Sequence, residues 1–485
     1  MNDNNASPSP ASAAAAAAPA AQVVSLYQAR KKIYARAVSG RFNQWRWIFV
    51  WLTQLAFYGL PWLNWGERQA LLFELVSRRF YIFGLVFYPQ DLIYLSALLM
   101  VSAYALFLFT AVAGRLWCGY ACPQTVYSEV FMWVERVFEG DRSARMKLDD
   151  GPMSGAKALR KGGKHVAWVL LALWTGFTFV GYFTPIRTLA GEVMANALGP
   201  WQTFWVLFYG FATYLNAGFM REQICKYVCP YARFQSAMFD KDTLIITYDA
   251  ERGEPRGARS RKIDPKSKGL GDCTDCGLCV QVCPTGIDIR KGLQYECIGC
   301  AACVDACDGV MDRMGYARGL VRYDTENGLA QHLSRGQEVR RVLRPRVLVY
   351  TSVLVIIVGA VATSIALRSP FKVDIVRDRA SLARIVDDGF VENVYRLQLM
   401  NATESVQSYA VSADGLPGLE MPGAKTMTLG PAEARWITVA LRVPPQTAAG
   451  TKPGAHEIHF TVERQSQAGD SARSLREKST FVLPR

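Results

Sequence analysis

Histidine is scarce in this chain, and several common catalytic signatures are missing. Only four histidines occur among 485 residues. His165 is the one that lies near a long apolar run, so haem held by two histidines inside a membrane lacks ligands. The sequence contains no P-loop, no dinucleotide-binding glycine fingerprint after a strand, no Gly-x-Ser-x-Gly and no His-Glu-x-x-His. These absences exclude the signatures of P-loop NTPases, serine hydrolases and zinc proteases.

Cysteine is absent from both ends of the chain. All twelve cysteines lie between positions 118 and 307, eight in one stretch and four as two short pairs. This is not the pattern of a disulfide framework, and it suits thiols kept reduced in a cytosolic compartment. The Ala-, Pro- and Ser-rich start has no cleavable hydrophobic segment. We therefore predict no signal peptide, and a disordered and then basic cytoplasmic tail over residues 1–46.

The eight clustered cysteines have the spacing of a bacterial-type ferredoxin. The first run is Cys-x2-Cys-x2-Cys-x3-Cys-Pro from Cys273, and the second repeats the spacing from Cys297. In such proteins the fourth cysteine of each run binds the other cluster. The spacing therefore predicts two [4Fe-4S] clusters. Their ligands are a first set of Cys273, Cys276, Cys279 and Cys307 and a second set of Cys283, Cys297, Cys300 and Cys303. A pair of zinc knuckles is the alternative, but zinc sites need four ligands with a longer gap between pairs.

Long uncharged runs predict a membrane protein. Five runs reach the length of a membrane-spanning helix. They are residues 47–66, 92–114, 166–186, 193–220 and 347–367. A further apolar run, Phe80–Gln90, is too short to span and predicts an interfacial or re-entrant piece.

The distribution of Lys and Arg predicts how the chain is oriented in the bilayer. Basic residues crowd the N-terminal flank, the loop after the second run and residues 221–346. The positive-inside rule places these parts in the cytoplasm. The same rule accounts for the net charge of +14, so we expect no nucleic-acid partner.

The predicted domains follow from these runs. A four-helix membrane domain occupies residues 47–240, and a cytoplasmic linker and ferredoxin domain occupies residues 241–346. A fifth transmembrane helix then leads to residues 368–485, on the outer side of the inner membrane in the periplasm of a Gram-negative host. Short alternating runs with turn residues between them predict a β-sandwich in that tail. The fold class is thus multi-domain, with an inserted ferredoxin.

Two further cysteine pairs share one motif. Cys118 and Cys122 precede Pro123, and Cys225 and Cys229 precede Pro230. If the local chain is helical, the four-residue spacing puts both thiols of a pair on one face. Soft thiolates prefer Cu(I), zinc or iron–sulfur clusters. We expect Arg115 and Lys226 to favour the thiolate by lowering the thiol pKa. The alternative is that these are inert cysteines buried at helix ends.

The order of these features resembles a known family over nearly the whole chain. The Cys297–Asp308 run (CIGCAACVDACD) and the start of the external domain at Val394–Asn401 (VYRLQLMN) are similar to the FixG/CcoG (RdxA-like) cytochrome c oxidase accessory proteins. The resemblance implies an inner-membrane protein with an immunoglobulin-like external domain that helps to assemble cbb-type oxidases. It also implies reduction of Cu(II) to Cu(I) before a copper-transporting ATPase and copper chaperones deliver the metal to the oxidase subunits.

The sequence and the resemblance together predict a cupric reductase. In this hypothesis a cytoplasmic donor reduces one cluster, the second cluster receives the electron, and Cu(II) held by the four membrane-proximal cysteines accepts it. Those residues are Cys118, Cys122, Cys225 and Cys229. One alternative is an electron-transfer subunit of a quinol-linked membrane chain, and another is a non-catalytic scaffold for oxidase assembly. The sequence leaves open whether the four cysteines form one site or two, and whether a homodimer shares it.

Overall fold

The computed structural model describes residues 32–378, 383–423, 425–465 and 473–484. The predicted Ala-rich start falls outside these ranges. The helices in the described parts are α1 (Arg41–Gly59), α2 (Leu92–Ala113), α3 (Leu116–Tyr120), α4 (Pro123–Glu139), α5 (Arg142–Asp150), α6 (Gly155–Val180), α7 (Ile186–Met194), α8 (Pro200–Thr213), α9 (Pro230–Met238), α10 (Ala250–Gly253), α11 (Leu278–Gln281), α12 (Ala302–Met314), α13 (Glu326–Gln331), α14 (Arg335–Val342), α15 (Pro345–Ala366) and α16 (Pro445–Gly450).

Three of these helices are long and apolar enough to cross a membrane, by length and composition. They are α2 with the turn before it (Pro89–Ala113), α6 and α15, among the residues that the structure describes. Leu99 on α2 and Ile356 on α15 are both largely exposed, as side chains that face lipid would be. Helix α1 ends at Gly59 and α8 at Thr213, where a π-helical segment, Tyr214–Met220, continues it. The count of five spans therefore stays a prediction.

Small residues let the helices of this region approach closely. A Cβ on Gly176 of α6 would lie 2.2 Å from the Val206 carbonyl oxygen of α8, so only glycine permits this crossing. The neighbouring contact between α4 and α6 is aromatic. The Phe131 and Trp168 rings stack with centroids 5.2 Å apart, and the indole Nε1 donates to the Phe131 carbonyl over 3.1 Å.

The cysteine-rich module lies between α9 and α14. Strands β6 (Ile245–Tyr248) and β7 (Val321–Asp324) pair antiparallel, and α11 and α12 pack beside them. The segment before α1 lies along this module, since the Arg36 amide donates to the Gln281 carbonyl over 2.9 Å. The N-terminal flank and the module are therefore on the same side of the helical region.

The C-terminal part is a sandwich of two antiparallel sheets. One sheet has the order β13-β10-β8 with β9 beside β10, and the other has the order β12-β11-β14-β15. The strands are β8 (Phe371–Arg377), β9 (Arg384–Ile385), β10 (Val391–Asn401), β11 (Gln407–Asp414), β12 (Thr426–Leu429), β13 (Ala434–Val443), β14 (Gly454–Arg464) and β15 (Ser474–Leu483). Both sheets contribute to one apolar core, in which Tyr395, Phe460 and Phe481 are fully buried. The predicted β-sandwich is therefore confirmed.

The prediction for Phe80–Gln90 is wrong. This run forms β4 (Arg79–Ile82) and β5 (Leu85–Phe87), which pair with each other, and β4 also pairs with β3 (Leu71–Glu74). The resulting small sheet follows the short β1 (Asn64–Trp65) and β2 (Arg68–Gln69). The sheet packs against the sandwich, where Tyr81 and Val86 share a core with Met400. The run is apolar because it is buried against another domain, and its two-residue period fits a strand rather than a membrane segment.

Candidate iron–sulfur and metal site

The first set of predicted cluster ligands lines one cavity. Cys273, Cys276, Cys279 and Cys307 surround an open space of about 370 Å³, which Tyr248 and Met311 also line. The loop before α11 carries Cys273 and Cys276, α11 itself carries Cys279, and α12 carries Cys307. Gly277 has a φ of 64° at the start of α11, so the loop turns sharply between Cys276 and Cys279.

The second set lines a neighbouring cavity of about 330 Å³. Cys283, Cys297, Cys300 and Cys303 surround it, with Ile246 and Ile298 among the apolar walls. Cys279 borders both cavities, so the two spaces adjoin. The structure thus brings each predicted set together from two separate cysteine runs. The assignment of individual ligands stays a prediction.

The two cavities suit bulky inorganic clusters better than single ions. Across the described ranges, no three Cys, His, Asp or Glu side chains close around one point as the ligands of a single metal ion do. Four thiolates around an iron–sulfur cube stand farther apart than four thiolates around zinc. Two adjoining spaces, each lined by four cysteines from both runs, are where two [4Fe-4S] clusters would be held.

The thiols of both sets are held in apolar surroundings. Burial raises the pKa of Cys279 to about 11 and the pKa values of Cys297 and Cys307 to about 12. Without a bound cation these thiols keep their protons. Loading of iron therefore releases protons, and the free energy of cluster binding contributes to the folding of the module.

The two sets differ in their access to solvent. Cys276 of the first set is exposed, whereas Cys300 of the second set is buried. Helix α3 covers the second set, because a Cβ on Gly119 would lie 2.8 Å from Cys300 Cα and from the Gly299 carbonyl oxygen. The first set is therefore the one that a partner in solution can approach.

The membrane-proximal cysteine pairs lie against the second set. Cys118 and Cys225 pack on the apolar group that contains Ile298, Cys300 and Ala302. Two matched motifs from distant parts of the chain thus meet beside one predicted cluster. The four thiols do not close around one point as they stand, so a shared four-thiolate ion site requires rotation of their side chains.

The condition for placing both thiols of a pair on one helical face, an uninterrupted helix through the motif, is not met. Helix α3 ends at Tyr120 and α4 begins at Pro123, so the chain bends between Cys118 and Cys122. In the second motif, Cys225 lies in a π-helical turn, Ile224–Val228, and Cys229 precedes α9. The proline that follows each motif starts a new helix at its first position, which is where proline fits best.

Arg115 lowers the pKa values of Cys118 and Cys225 as expected, but the net shift is upward, so the predicted preference for the thiolate is wrong. Burial raises the pKa of Cys118 to about 11 and that of Cys225 to about 12, and the cation of Arg115 offsets only part of this rise. Lys226 Nζ donates instead to the Thr285 carbonyl over 3.1 Å. Desolvation outweighs the attraction of one cation because these side chains lie in an apolar contact between two domains.

Arg115 joins the helical region to both cysteine groups. Its guanidinium is buried and donates to the carbonyl oxygens of Tyr295 and Ala232, and to that of Cys297 over 3.5 Å. Cys297 belongs to the second set, and Ala232 follows the second membrane-proximal motif. Arg115 therefore fixes the distance between the predicted cluster and the thiols beside it.

Sequence reasoning missed three buried carboxylates on α4. Glu129 pairs with Arg46 at 2.5 Å, Glu135 with Arg145 at 2.7 Å, and Glu139 with Lys164 at 2.8 Å. The positive-inside rule accounts for their basic partners as cytoplasmic charges near a membrane and does not predict these ion pairs. The sequence contained a clue to these pairs. Three acidic residues recur along the helix that directly follows the first cysteine motif, in a region whose other charges are mostly basic. These pairs hold α1, α5 and α6 against α4.

Comparison with known proteins places the chain in a family. FixG, the nitrogen fixation protein of Rhizobium meliloti, is 36% identical over 447 residues, which cover 86% of this chain and 85% of FixG. The chain belongs to the FixG/RdxA family. RdxA of Cereibacter sphaeroides is 38% identical over 407 residues, which cover 81% of this chain and 84% of RdxA. The family resemblance therefore extends over the helical region, the cysteine-rich module and the sandwich.

Family models describe the parts separately. Residues 220–326 match a 4Fe-4S dicluster domain, residues 95–139 match a 4Fe-4S binding domain, and residues 361–484 match the Ig-like fold at the C-terminus of FixG. The protein is thus an iron–sulfur protein of an electron-transfer family. The ferredoxin-type protein NapH of Haemophilus influenzae is 25% identical over 223 residues, which cover 44% of this chain and 66% of NapH.

Proposed function

We propose that this protein is a membrane-bound cupric reductase that helps to assemble cbb-type cytochrome c oxidases. Bound at the two cysteine sets, [4Fe-4S] clusters would supply single electrons. Cys118, Cys122, Cys225 and Cys229 would hold copper beside the second set. The observation that carries the proposal is the packing of Cys118 and Cys225 on the apolar group around Cys300.

The chemistry needs one electron and no new covalent bond. Cu(II) at the membrane-proximal thiols accepts one electron and becomes Cu(I), which soft sulfur ligands prefer. The apolar surroundings of these thiols favour the ion of lower charge, because transfer of charge into a low-dielectric region is costly. Copper is the substrate in this proposal and leaves as Cu(I), for delivery to a copper-transporting ATPase, chaperones and the oxidase subunits.

The contacts of the soluble parts support the predicted membrane topology. The sheet β3–β5 lies against the C-terminal sandwich, whereas the segment before α1 lies against the cysteine-rich module. If α1 and the runs at α2, α6, α8 and α15 all cross the bilayer, these two assemblies lie on opposite sides. We propose that the module is cytoplasmic and the sandwich periplasmic, with five crossings between the two ends of the chain.

The decisive experiment removes the four membrane-proximal thiols together. We would reconstitute the wild type and a quadruple Cys→Ser variant at 118, 122, 225 and 229 anaerobically, reduce them chemically and add stoichiometric Cu(II). Cluster reoxidation is followed by EPR, and Cu(I) by a specific dye. The variant should keep its cluster signals and lose rapid Cu(I) formation. Copper reduction at the wild-type rate would refute the copper site. A decrease in iron per chain would instead show that the four cysteines hold iron.

A quinol-linked electron-transfer subunit is the second candidate. The similarity to the ferredoxin-type protein NapH favours it, as does a cavity of about 400 Å³ at the charged end of α6. His165, Trp168 and the carboxylate-bearing Glu135 line this cavity. An aromatic cleft with proton acceptors at a membrane boundary would suit a quinol head group. Reduction of the clusters by a soluble quinol analogue, without any dependence on copper, would support this candidate over the first.

A further inference from the structure

The edge of the first cysteine set is open to solvent. Cys276 is exposed, its neighbour Asp275 has half of its side chain exposed, and a Cβ on Gly277 would meet no atom within 4 Å. The second set, by contrast, lies beneath α3 and contacts the membrane-proximal cysteines. An electron that enters from solution would therefore enter at Cys276 and move inward.

Basic side chains surround this edge. Arg290 lines the first cavity and pairs with Asp275 at 2.5 Å, while Arg256 approaches Asp275 to 4.0 Å. Arg259 donates to the Cys273 carbonyl over 3.1 Å. We define the basic rim by the cationic residues of this loop and its neighbour. They are Arg256, Arg259, Arg261, Lys262, Arg290 and Lys291.

The rim carries more positive charge than its own acids neutralise. Residues 251–291, which include the whole rim, contain nine Lys or Arg and six Asp or Glu. Arg261 and Lys262 are exposed to solvent, and Arg256 is exposed as well although its guanidinium lies 3.7 Å from Glu254 and 4.0 Å from Asp275. A positive surface around a redox centre attracts negatively charged partners and raises their rate of productive encounter.

We propose that the basic rim is the docking site of a small acidic protein that carries one electron, of the ferredoxin or flavodoxin class. The proposal rests on the proposed function in that it names the class of its electron donor. One electron passes from the reduced carrier to the iron–sulfur group at Cys273, Cys276, Cys279 and Cys307. The carrier is oxidised by one electron, and no bond or proton is transferred.

The rim fits a protein carrier better than a lipid surface. The cysteines that lie closest to the helical region are those of the second set, beneath Gly119 of α3. On the rim, Arg256 and Arg290 lie beside Asp275, the neighbour of the exposed predicted ligand Cys276, and not beside an apolar helix. Binding of a lipid head group does not require Cys276 to be exposed, whereas an electron carrier must come close to an exposed cluster ligand.

The test measures binding and electron entry separately. The full-length protein is placed in nanodiscs of neutral lipid and exposed to an oxidised plant-type [2Fe-2S] ferredoxin or to an oxidised flavodoxin. The variant is Arg256→Glu, Arg261→Glu and Lys262→Glu together. At low salt the variant should bind the carriers roughly tenfold more weakly or worse, with a flatter dependence on salt. Stopped-flow reduction by the reduced carrier should slow by a similar factor.

A matched control variant and a small-molecule reductant distinguish loss of carrier docking from a general loss of charge or of clusters. The control reverses three exposed charges of the sandwich, Arg435→Glu, Arg476→Glu and Lys478→Glu, and should bind the carriers as the wild type does. Reduced methyl viologen should reduce the clusters of both variants to equal EPR amplitude. Should the rim variant take up less iron, Arg261→Gln with Lys262→Gln replaces it, with about a threefold loss expected.

Two results would overturn the proposal. One is carrier binding that is equal in the rim variant, the control and the wild type. The other is that the rim variant loses affinity for anionic vesicles and not for either carrier, which would assign the rim to the membrane surface. Copper reduction driven by methyl viologen does not use the rim, so failure of the cupric reductase proposal is detected independently.

Discussion

Gly119 lets α3 lie directly on the loop of the second cysteine set. Its neighbours across the contact are backbone atoms of Gly299 and Cys300, which cannot rotate away as a side chain could. We predict that Gly119→Ala lowers the free energy of unfolding by roughly 1–3 kcal/mol through overpacking. It should also lower the iron content per chain. Iron analysis and thermal unfolding of the purified protein measure both effects.

The control for this prediction is another helical glycine. A Cβ on Gly162 of α6 would meet no atom within 4 Å, so Gly162→Ala should leave the iron content unchanged and stabilise the helix slightly. If Gly119→Ala keeps wild-type iron and stability, α3 is not packed on the second set as the structure shows.

The ion pair between Arg46 and Glu129 is nearly dry, with 6% and 8% of the two side chains exposed. Arg46→Met would remove the nearer of two cations from the buried Glu129 carboxylate and leave it with Arg136 at 3.6 Å. Loss of one partner of such a pair typically costs about 3–5 kcal/mol. Denaturant unfolding of the detergent-solubilised protein should show a loss of this size, and the double variant Arg46→Met with Glu129→Leu should recover most of it. A double variant as unstable as the single one would contradict the pairing.

Arg46 also supplies positive charge near Cys300 of the second set. Positive charge beside an iron–sulfur cluster favours its reduced state, because that state carries one more negative charge. The double variant also removes the Glu129 carboxylate, which acts on Cys300 in the opposite direction and more weakly. We predict that the double variant slightly lowers the reduction potential of the nearer cluster and leaves the other unchanged. A redox titration followed by EPR measures this shift. Equal shifts of both clusters would indicate a general effect on the module.

At the scale of elements, one buried acid in the turn after β5 reinforces the apolar contact between the small sheet and the sandwich. Asp91 pairs with Arg368 at 2.5 Å and with Lys372, which lie at the junction of α15 and β8. Asp91→Ala should loosen the sandwich by roughly 1–3 kcal/mol and speed proteolysis of the junction severalfold. Glu404→Gln is the matched control, because its pair with Arg68 is more exposed and should contribute little. Equal cleavage rates in the two variants would contradict this role.

The elements of the sandwich could be predicted well from local patterns. The alternating sequence ARWITVALRV (Ala434–Val443) coincides with β13, and the alternating sequences VENVYRLQLM from Val391 and HEIHFTVER from His456 lie within β10 and β14. The interpretation of Phe80–Gln90 failed because a strand that packs on a distant domain and a short membrane segment share an apolar composition. Only the contact with Met400 separates them.

At the scale of the whole molecule, the structure predicts which soluble parts share a side of the membrane. Ser77→Cys beside β4 and Gln446→Cys in the sandwich should both react with an impermeant maleimide on spheroplasts. Ser260→Cys in the basic loop should react only after permeabilisation. All three positions are exposed, so burial does not limit labelling. If Ser77→Cys and Gln446→Cys label from opposite sides, the number of crossings between them is odd and the five-span topology is wrong.

The spacing of the eight clustered cysteines is enough to predict two [4Fe-4S] clusters, because ligand spacing in a ferredoxin is a local property of the chain. The strands of the sandwich and the apolar runs could also be predicted, since both depend on periodicity and composition. Only the tertiary structure shows which distant segments of the chain are in contact. It placed Cys118 and Cys225 against Cys300, exposed Cys276, and buried Glu129 with Arg46. It also reversed the expected pKa shift at Cys118, because desolvation depends on every surrounding segment and outweighs one neighbouring charge.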